Sequence, residues 1–214
     1  MAAALRRLGF DYVFDTIFSA DLTIMEEGSE FLSRFDSLKE DGMPMFTSCC
    51  PGWIRFVKTQ YPQLVPYLSS AKSPQQMFGA VSKTYFAKVL GVDPSRLFCV
   101  SIMPCVAKKH EADIPTINAA EKGKDVDCVL TTRELARMIR ADRIVVGALQ
   151  EEPFDQPLGL GTGAGEIFGV TGGVMEAALR SAYYLITGKN PEPDSFREIR
   201  GQEPWRESEL NMGG

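Results

Sequence analysis

Cys49 and Cys50 are adjacent thiols set between Phe46-Thr47-Ser48 and Pro51-Gly52-Trp53. The residues before them, Pro44 to Ser48, read as a short buried strand. Pro51 to Tyr61 reads as a helix, with proline at the first helical position, where its missing N–H costs nothing. Cys50 therefore stands at or next to a helix N-cap. A strand end running into a helix is a common ligand position in open α/β sheets. The free N–H groups and the helix dipole there stabilise a thiolate. Cys105 repeats the arrangement: Leu97 to Met103 has a strand pattern, Pro104-Cys105 follows, and Lys108 and Lys109 lie three and four residues on. A cation near a cysteine favours its thiolate and hydrogen-bonds an anionic ligand. Thiolates are soft ligands for iron–sulfur clusters. The plainer alternative is that these are small buried apolar residues, as most free cysteines are. On chemistry alone the two readings weigh about equally.

Glu27, Glu30 and Arg34 recur at i, i+3 and i+7 of a helical pattern and so share one face. Spacing alone favours a solvated charged face, with Glu30–Arg34 a surface pair worth about 0.3–0.5 kcal/mol. Cys99 and Cys128 lie inside strand patterns and read as buried hydrophobes. His110 carries no assigned role. Gly161-x-Gly163-x-Gly165 lacks the preceding strand that a dinucleotide fingerprint requires. Glycines that admit a bulky cofactor close to the backbone fit it equally well.

Thr47-Ser48-Cys49-Cys50-Pro51-Gly52-Trp53 and Met103-Pro104-Cys105-Val106-Ala107-Lys108-Lys109 resemble the first two signature motifs of iron-only ([FeFe]) hydrogenases. Gly163-Ala164-Gly165-Glu166-Ile167-Phe168-Gly169-Val170-Thr171-Gly172-Gly173-Val174-Met175-Glu176 resembles a further segment of that family beside its active site. The resemblance runs over nearly all of the chain. The family's third signature, Glu-x-Met-Ala-Cys-x-x-Gly-Cys, is absent from these 214 residues, so the sequence reads as an internal fragment of a catalytic domain, inactive by itself.

The resemblance implies a cofactor, the H-cluster: a [4Fe-4S] cluster joined to a diiron subcluster. Cys50 and Cys105 match two of the four thiolates that hold the cubane. Cys49 matches the thiol that hands a proton to the diiron site. Glu27, Glu30 and Ser69 match a proton path ending at that thiol. Glu, Ser and Cys can each accept and donate a proton. Arg34 stays protonated, so it can only steady a carboxylate. Lys108 matches the lysine bonded to a cyanide ligand, while Gln75, Phe168 and Gly169 supply further pocket contacts. Met103, beside Pro104, forms a soft apolar wall. The implied activity is reversible hydrogen oxidation and proton reduction, with a ferredoxin-like or other electron carrier as partner. The alternatives are a hydrogenase-like iron–sulfur assembly protein or a sensory domain without hydrogen turnover. The former typically lack counterparts of Cys49 and Met103. The latter often depart at the proton-path positions.

Composition sets the frame for these residues. A hydrophobic fraction of 44% suits a globular core, and a net charge of −5 argues against a nucleic-acid partner. No apolar run is long enough to span a bilayer. Five cysteines without small-secreted-domain spacing argue for reduced thiols, hence a cytoplasmic or anaerobic setting, with the periplasm left open. There is no Cys-x-x-Cys for an accessory ferredoxin-type cluster.

The elements that must position the site follow from pattern. Helices are expected over residues 2–8, from Ser19 to about Lys39, from Pro51 to Tyr61, from Pro74 to about Leu90 with Gly91 ending it, from a cap at Thr131-Thr132-Arg133-Glu134 to Arg140, and from about Gly172 to Ile186. Strands are expected at Tyr12–Asp15, at Pro44–Ser48, at Leu97–Met103 and at Asp127–Leu130, with Phe196–Ile199 as a possible edge strand. Residues 61–66 read as a linker and residues 190–214 as a polar tail. The alternation predicts an α/β fold of doubly wound, largely parallel sheets flanked by helices: one lobe over 1–140 and the beginning of a second over 141–214.

Overall fold

The computed structural model describes residues 1–121, 123–199 and 203–209. Parts of the polar tail thus lie outside the described residues. Of those described, 56% are helical and 5% are in strands, which overturns the expected sheet-dominated α/β architecture. The fold is largely α-helical, with one small parallel sheet. Its two strands, β1 (Val100–Met103) and β2 (Cys128–Thr131), pair in the register Val100↔Cys128 to Met103↔Thr131.

The missing strands have a common cause. Tyr12–Asp15 is not a strand, because the N–H of Val13 goes to the Asp155 carboxylate at 2.7 Å while its carbonyl accepts from the Asp155 N–H at 2.8 Å. Pro44–Ser48 makes a single bridge, Phe46 to Leu68, with bonds of 2.8 and 2.7 Å to the backbone of Tyr67 and Ser69. The backbone groups are satisfied, as burial requires, but by turns and a side chain rather than by neighbouring strands. Phe196 and Ile199 are fully buried within a 3-10 segment, Pro193–Ile199, kinked at Phe196. The segment turns tightly instead of extending, so no edge strand forms. The expected linker is likewise a 3-10 turn, Pro62–Tyr67.

By spatial contact the described chain forms two units, each drawing on segments from both ends of the sequence. The first comprises residues 1–18 and 74–160. It contains helix α1 (Ala2–Arg7), α4 (Pro74–Val81), a π-helical stretch (Ser82–Phe86), α5 (Ala87–Leu90), both strands, α6 (Ala107–Ala112) and α7 (Thr132–Ala141). Ala2, Leu5, Val13 and Leu135 form one apolar cluster; Ala112, Val126 and Val129 form another, against which Met103 packs. The expected helix from Pro74 is continuous through its π stretch and stops at Gly91, whose φ of +66° is the left-handed geometry that ends helices. α7 starts from a complete capping box between Thr131 and Glu134.

The second unit comprises residues 19–73 and 161–214. It holds nearly all of α2 (Ile17–Asp41), then α3 (Pro51–Gln60), the four-residue α8 (Gly163–Glu166), a 3-10 turn (Ile167–Gly169) and α9 (Gly173–Thr187). A Cβ on Gly173 would lie 1.6 Å from the Ile167 carbonyl oxygen, so only glycine lets this turn close onto α9. Among the described residues, no helix is long and apolar enough to cross a membrane.

Candidate functional site

The second unit assembles Glu27, Glu30, Arg34 and Ser69 around the start of the cysteine motif. α2 presents the two glutamates one turn apart. The segment after α3 returns along it, bringing Ser69 and Ser70 to Glu30. Ser69 Oγ donates to Glu30 Oε2 at 2.8 Å, and the Ser70 N–H contacts both carboxylate oxygens at 3.1 and 2.9 Å. Arg34 Nη1 donates to Glu30 Oε1 at 3.0 Å and to the Leu68 carbonyl at 3.2 Å, and Nη2 to the Pro66 carbonyl at 2.7 Å. Arg34 thus locks the returning segment onto α2 as well as steadying Glu30. The solvated-face reading fails here, because Glu27 is only 2% exposed.

The two carboxyls differ in their electrostatics. Burial works to raise the pKa of Glu30, but donors from Ser69, the Ser70 backbone and Arg34 outweigh it, and the net shift is downward. Burial raises the pKa of Glu27; Ser69 and the Ser48 N–H pull it down, and the charge on Glu30 pushes it further up. The Ser69 hydroxyl has one proton to donate, and it sits on Glu30 at 2.8 Å. Its help to Glu27 is therefore not available at the same moment, which strengthens the upward direction. Glu27 Oε1 accepts from the Ser48 N–H at 3.3 Å, while Oε2 is buried and has no hydrogen-bond partner among the described residues. Ser48 in turn donates its hydroxyl to the Ala71 carbonyl at 2.9 Å. Sequence reasoning missed Ser48, since a serine beside two cysteines gives no sign that its N–H reaches a helix 21 residues back.

Cys49 follows Ser48 and is half-buried. Cys50 is the N-cap of α3, with Pro51 at the first helical position, and its exposed sulfur accepts from the Trp53 N–H at 3.4 Å. In the same unit, Asp21 on α2 binds the glycine-rich segment that leads to Phe168, half-buried, and to Gly169, exposed.

The first unit carries the remaining candidates. β1 ends at Met103, and Pro104 and Cys105 follow, both exposed. Gln75 is buried at the start of α4: it accepts from Ser101 Oγ at 2.8 Å and donates to the Lys108 carbonyl and to Glu111 Oε2, both at 3.1 Å. Lys108 Nζ is held by Glu111 Oε2 at 3.2 Å, and Lys109 Nζ by Glu134 Oε1 at 2.7 Å. The two cations that follow Cys105 are therefore paired with carboxylates. Glu111 was missed by sequence reasoning, although its helical spacing of three from Lys108 was a usable signal. Cys99 and Cys128 are half-buried. Burial pushes the Cys99 thiol up to about 11, against the pull of Lys83. Among the described residues no disulfide joins any of the five cysteines. Among the described residues no group of three or more His, Cys, Asp or Glu is placed to hold a metal ion.

The family model described as iron only hydrogenase large subunit, C-terminal domain, matches residues 1–214. The chain is 52% identical over 217 residues to the NADP-reducing hydrogenase subunit HndD of Solidesulfovibrio fructosivorans, covering 100% of this chain and 37% of that protein. It is 48% identical over 214 residues to the periplasmic [Fe] hydrogenase large subunit of Nitratidesulfovibrio vulgaris, covering 100% of this chain and 51% of that protein. A solved structure of a variant of [FeFe]-hydrogenase HydA1 from Chlamydomonas reinhardtii matches with a TM-score of 0.76 at 51% identity, over 88% of this chain and 47% of that one. The chain spans about half or less of the length of these relatives. With a full-length match to the family model and half its residues identical to those of hydrogenase subunits, this chain belongs to the iron-only hydrogenase large-subunit family, in its C-terminal domain.

Proposed function

We propose that the chain is part of the catalytic domain of an iron-only hydrogenase, which interconverts dihydrogen with two protons and two electrons. The observation that carries this reading is the line of proton-exchanging groups in the second unit: Glu30 bonded to Ser69 at 2.8 Å, and buried Glu27 bonded to the N–H of the residue before Cys49. Glu30 is held as a carboxylate and is the less buried of the two, so it exchanges protons with water. Ser69 can pass a proton by accepting one and donating another. Glu27, whose raised pKa favours its acid form, stores the proton inside. Cys49 is the next group capable of both steps. Arg34 holds Glu30 in place without entering the relay.

The donor set suits a cluster cofactor. Cys50 and Cys105 are exposed free thiols following Ser48-Cys49 and Met103-Pro104, and each is assigned as an iron ligand of the [4Fe-4S] part of an H-cluster. When bound, the cluster and its diiron subcluster supply redox and hydrogen-splitting chemistry. Lys108, held through Glu111, offers a cation to an anionic ligand of the cofactor. Gln75, Met103, Pro104, Phe168 and Gly169 are assigned to its pocket. A ferredoxin-like or other carrier exchanges the electrons, and the location proposed is cytoplasmic, with the periplasm left open.

The test uses the full-length protein, loaded anaerobically with iron, sulfide and diiron cofactor. It is expected to evolve hydrogen. Cys105→Ala is expected to lose iron, whereas Cys49→Ala keeps iron and loses turnover by about 10²–10⁴-fold. A loaded parent with a full iron count and no hydrogen turnover would refute the reading in favour of an assembly or sensory role.

A further inference from the structure

Asp21 lies on α2 outside every group considered above for the chemistry, yet its carboxylate makes three contacts to one distant segment. Oδ2 accepts from the Thr162 N–H at 2.5 Å, and Oδ1 accepts from Thr162 Oγ1 at 2.7 Å and from the Gly165 N–H at 2.7 Å. Thr162 is the N-cap of α8, and its hydroxyl also accepts from the Ala164 N–H at 3.3 Å. α8 is only four residues long, far too short to persist from its own hydrogen bonds. Two of its orphan donors, and the hydroxyl that caps it, are tied to Asp21. Charge-assisted bonds of this length are the strong ones.

The other end of the segment is fixed separately. Gly172 has φ +80°, and Gly173 lies so close to the Ile167 carbonyl that no Cβ fits. The backbone from Thr162 to Gly173 is therefore pinned at one end by Asp21 and at the other by close contact with the start of α9. Phe168 and Gly169 lie between the pins. Asp21 precedes Glu27 by six residues and Glu30 by nine on the same helix, roughly 9 and 13.5 Å along its axis at 1.5 Å per residue.

We infer that Asp21 is a positioning residue: it fixes the Thr162–Gly165 turn, and through it Phe168 and Gly169, to the helix that carries Glu27 and Glu30. One helix then sets the place of both the proton-exchanging carboxyls and a segment of the cofactor pocket. The relevance to catalysis rests on the function proposed above; the anchor itself does not.

The experiment compares Asp21→Asn, Thr162→Val and the parent in the full-length protein. Asparagine offers an N–H₂ where one of the carboxylate acceptors stood, and valine removes the Thr162 hydroxyl, with both its bond to Asp21 and its cap on the Ala164 N–H, while leaving the two backbone bonds to Asp21 in place. In the cofactor-free protein, amide hydrogen exchange over residues 162–166 is expected to speed by about 10- to 100-fold in Asp21→Asn and less in Thr162→Val. Exchange at Ser48, Ser70 and the middle of α9 is expected to stay as in the parent. In the loaded protein, iron content is expected to hold while the infrared bands of the centre shift or broaden. Unchanged exchange at 162–166 would overturn the proposal. So would acceleration spread equally over α2 and α9, or an infrared spectrum identical to the parent's. If the parent itself forms no hydrogenase centre, the functional reading fails, and the exchange result still decides the anchor.

Discussion

Replacing Glu27 with glutamine is expected to make the protein more stable and nearly inactive. Glu27 is 2% exposed; one oxygen accepts from Ser48 at 3.3 Å and the other has no partner among the described residues. Burial raises its pKa above the ordinary 4.5. The folded state thus binds this proton more tightly than the unfolded state does. By linkage, the stability that goes with Glu27 is fully present below about pH 4.5 and is lost as pH rises through the folded pKa. Above that value the core holds a charged carboxylate with an unsatisfied oxygen, a defect that costs about 1–3 kcal/mol. Glutamine removes the charge, keeps a carbonyl for the Ser48 N–H and has an N–H₂ to offer to Ser69 Oγ, which has a lone pair left after accepting from Ala71 at 3.1 Å. The expected gain is about 1 kcal/mol at pH 8, shrinking towards zero near pH 4.5. Denaturant titrations of the cofactor-free full-length protein at pH 5 and pH 8 measure it. An amide cannot pass a proton in this range, so hydrogen turnover of the loaded variant should fall about 10²–10⁴-fold. A variant destabilised by the same amount at both pH values would refute the reasoning, because the carboxylate would then be stabilising rather than a defect.

Two further outcomes follow from the same geometry. Ser69→Ala removes the 2.8 Å donor to Glu30 and the 3.1 Å acceptor of the Ala71 N–H. Because Ser70 and Arg34 still hold Glu30, stability should drop by only about 1 kcal/mol, while turnover falls about 10²–10⁴-fold and Ser69→Thr restores most of it; parent-like turnover in the alanine variant would exclude Ser69 from the relay. In the cofactor-free protein, iodoacetamide should modify exposed Cys50 and Cys105 well before Cys99, whose thiol is pushed up to about 11. Peptide mapping should show iron loading protecting the first two alone, and Cys99 reacting as fast as Cys50 would contradict the assignment.

Features governed by a few consecutive residues were legible in the sequence. Pro51 after Cys50 announced the N-cap that the 3.4 Å contact to Trp53 completes. Thr131 and Glu134 announced the capping box, and Gly91 the end of the long helix. Each depends on backbone groups three or four positions away, so local chemistry decides it. The family likeness was legible for a similar reason, since it rests on contiguous motifs. Pairing and burial were not legible. The alternation at Tyr12–Asp15 marks an extended, half-buried chain, but it does not say whether a strand or the Asp155 carboxylate will meet Val13. That ambiguity, repeated at Phe46 and Phe196, is why a fold expected to be built on sheets is mostly helical. The spacing of Glu27, Glu30 and Arg34 placed them on one face of α2 but could not say what covers it. The returning segment from Pro66 to Ala71 covers that face, through contacts made 32 to 40 residues away in sequence. Whether a carboxylate on a helix is solvated or buried depends on which distant backbone donors reach it, and only the tertiary structure brings Ser48 to Glu27 and Thr162 to Asp21.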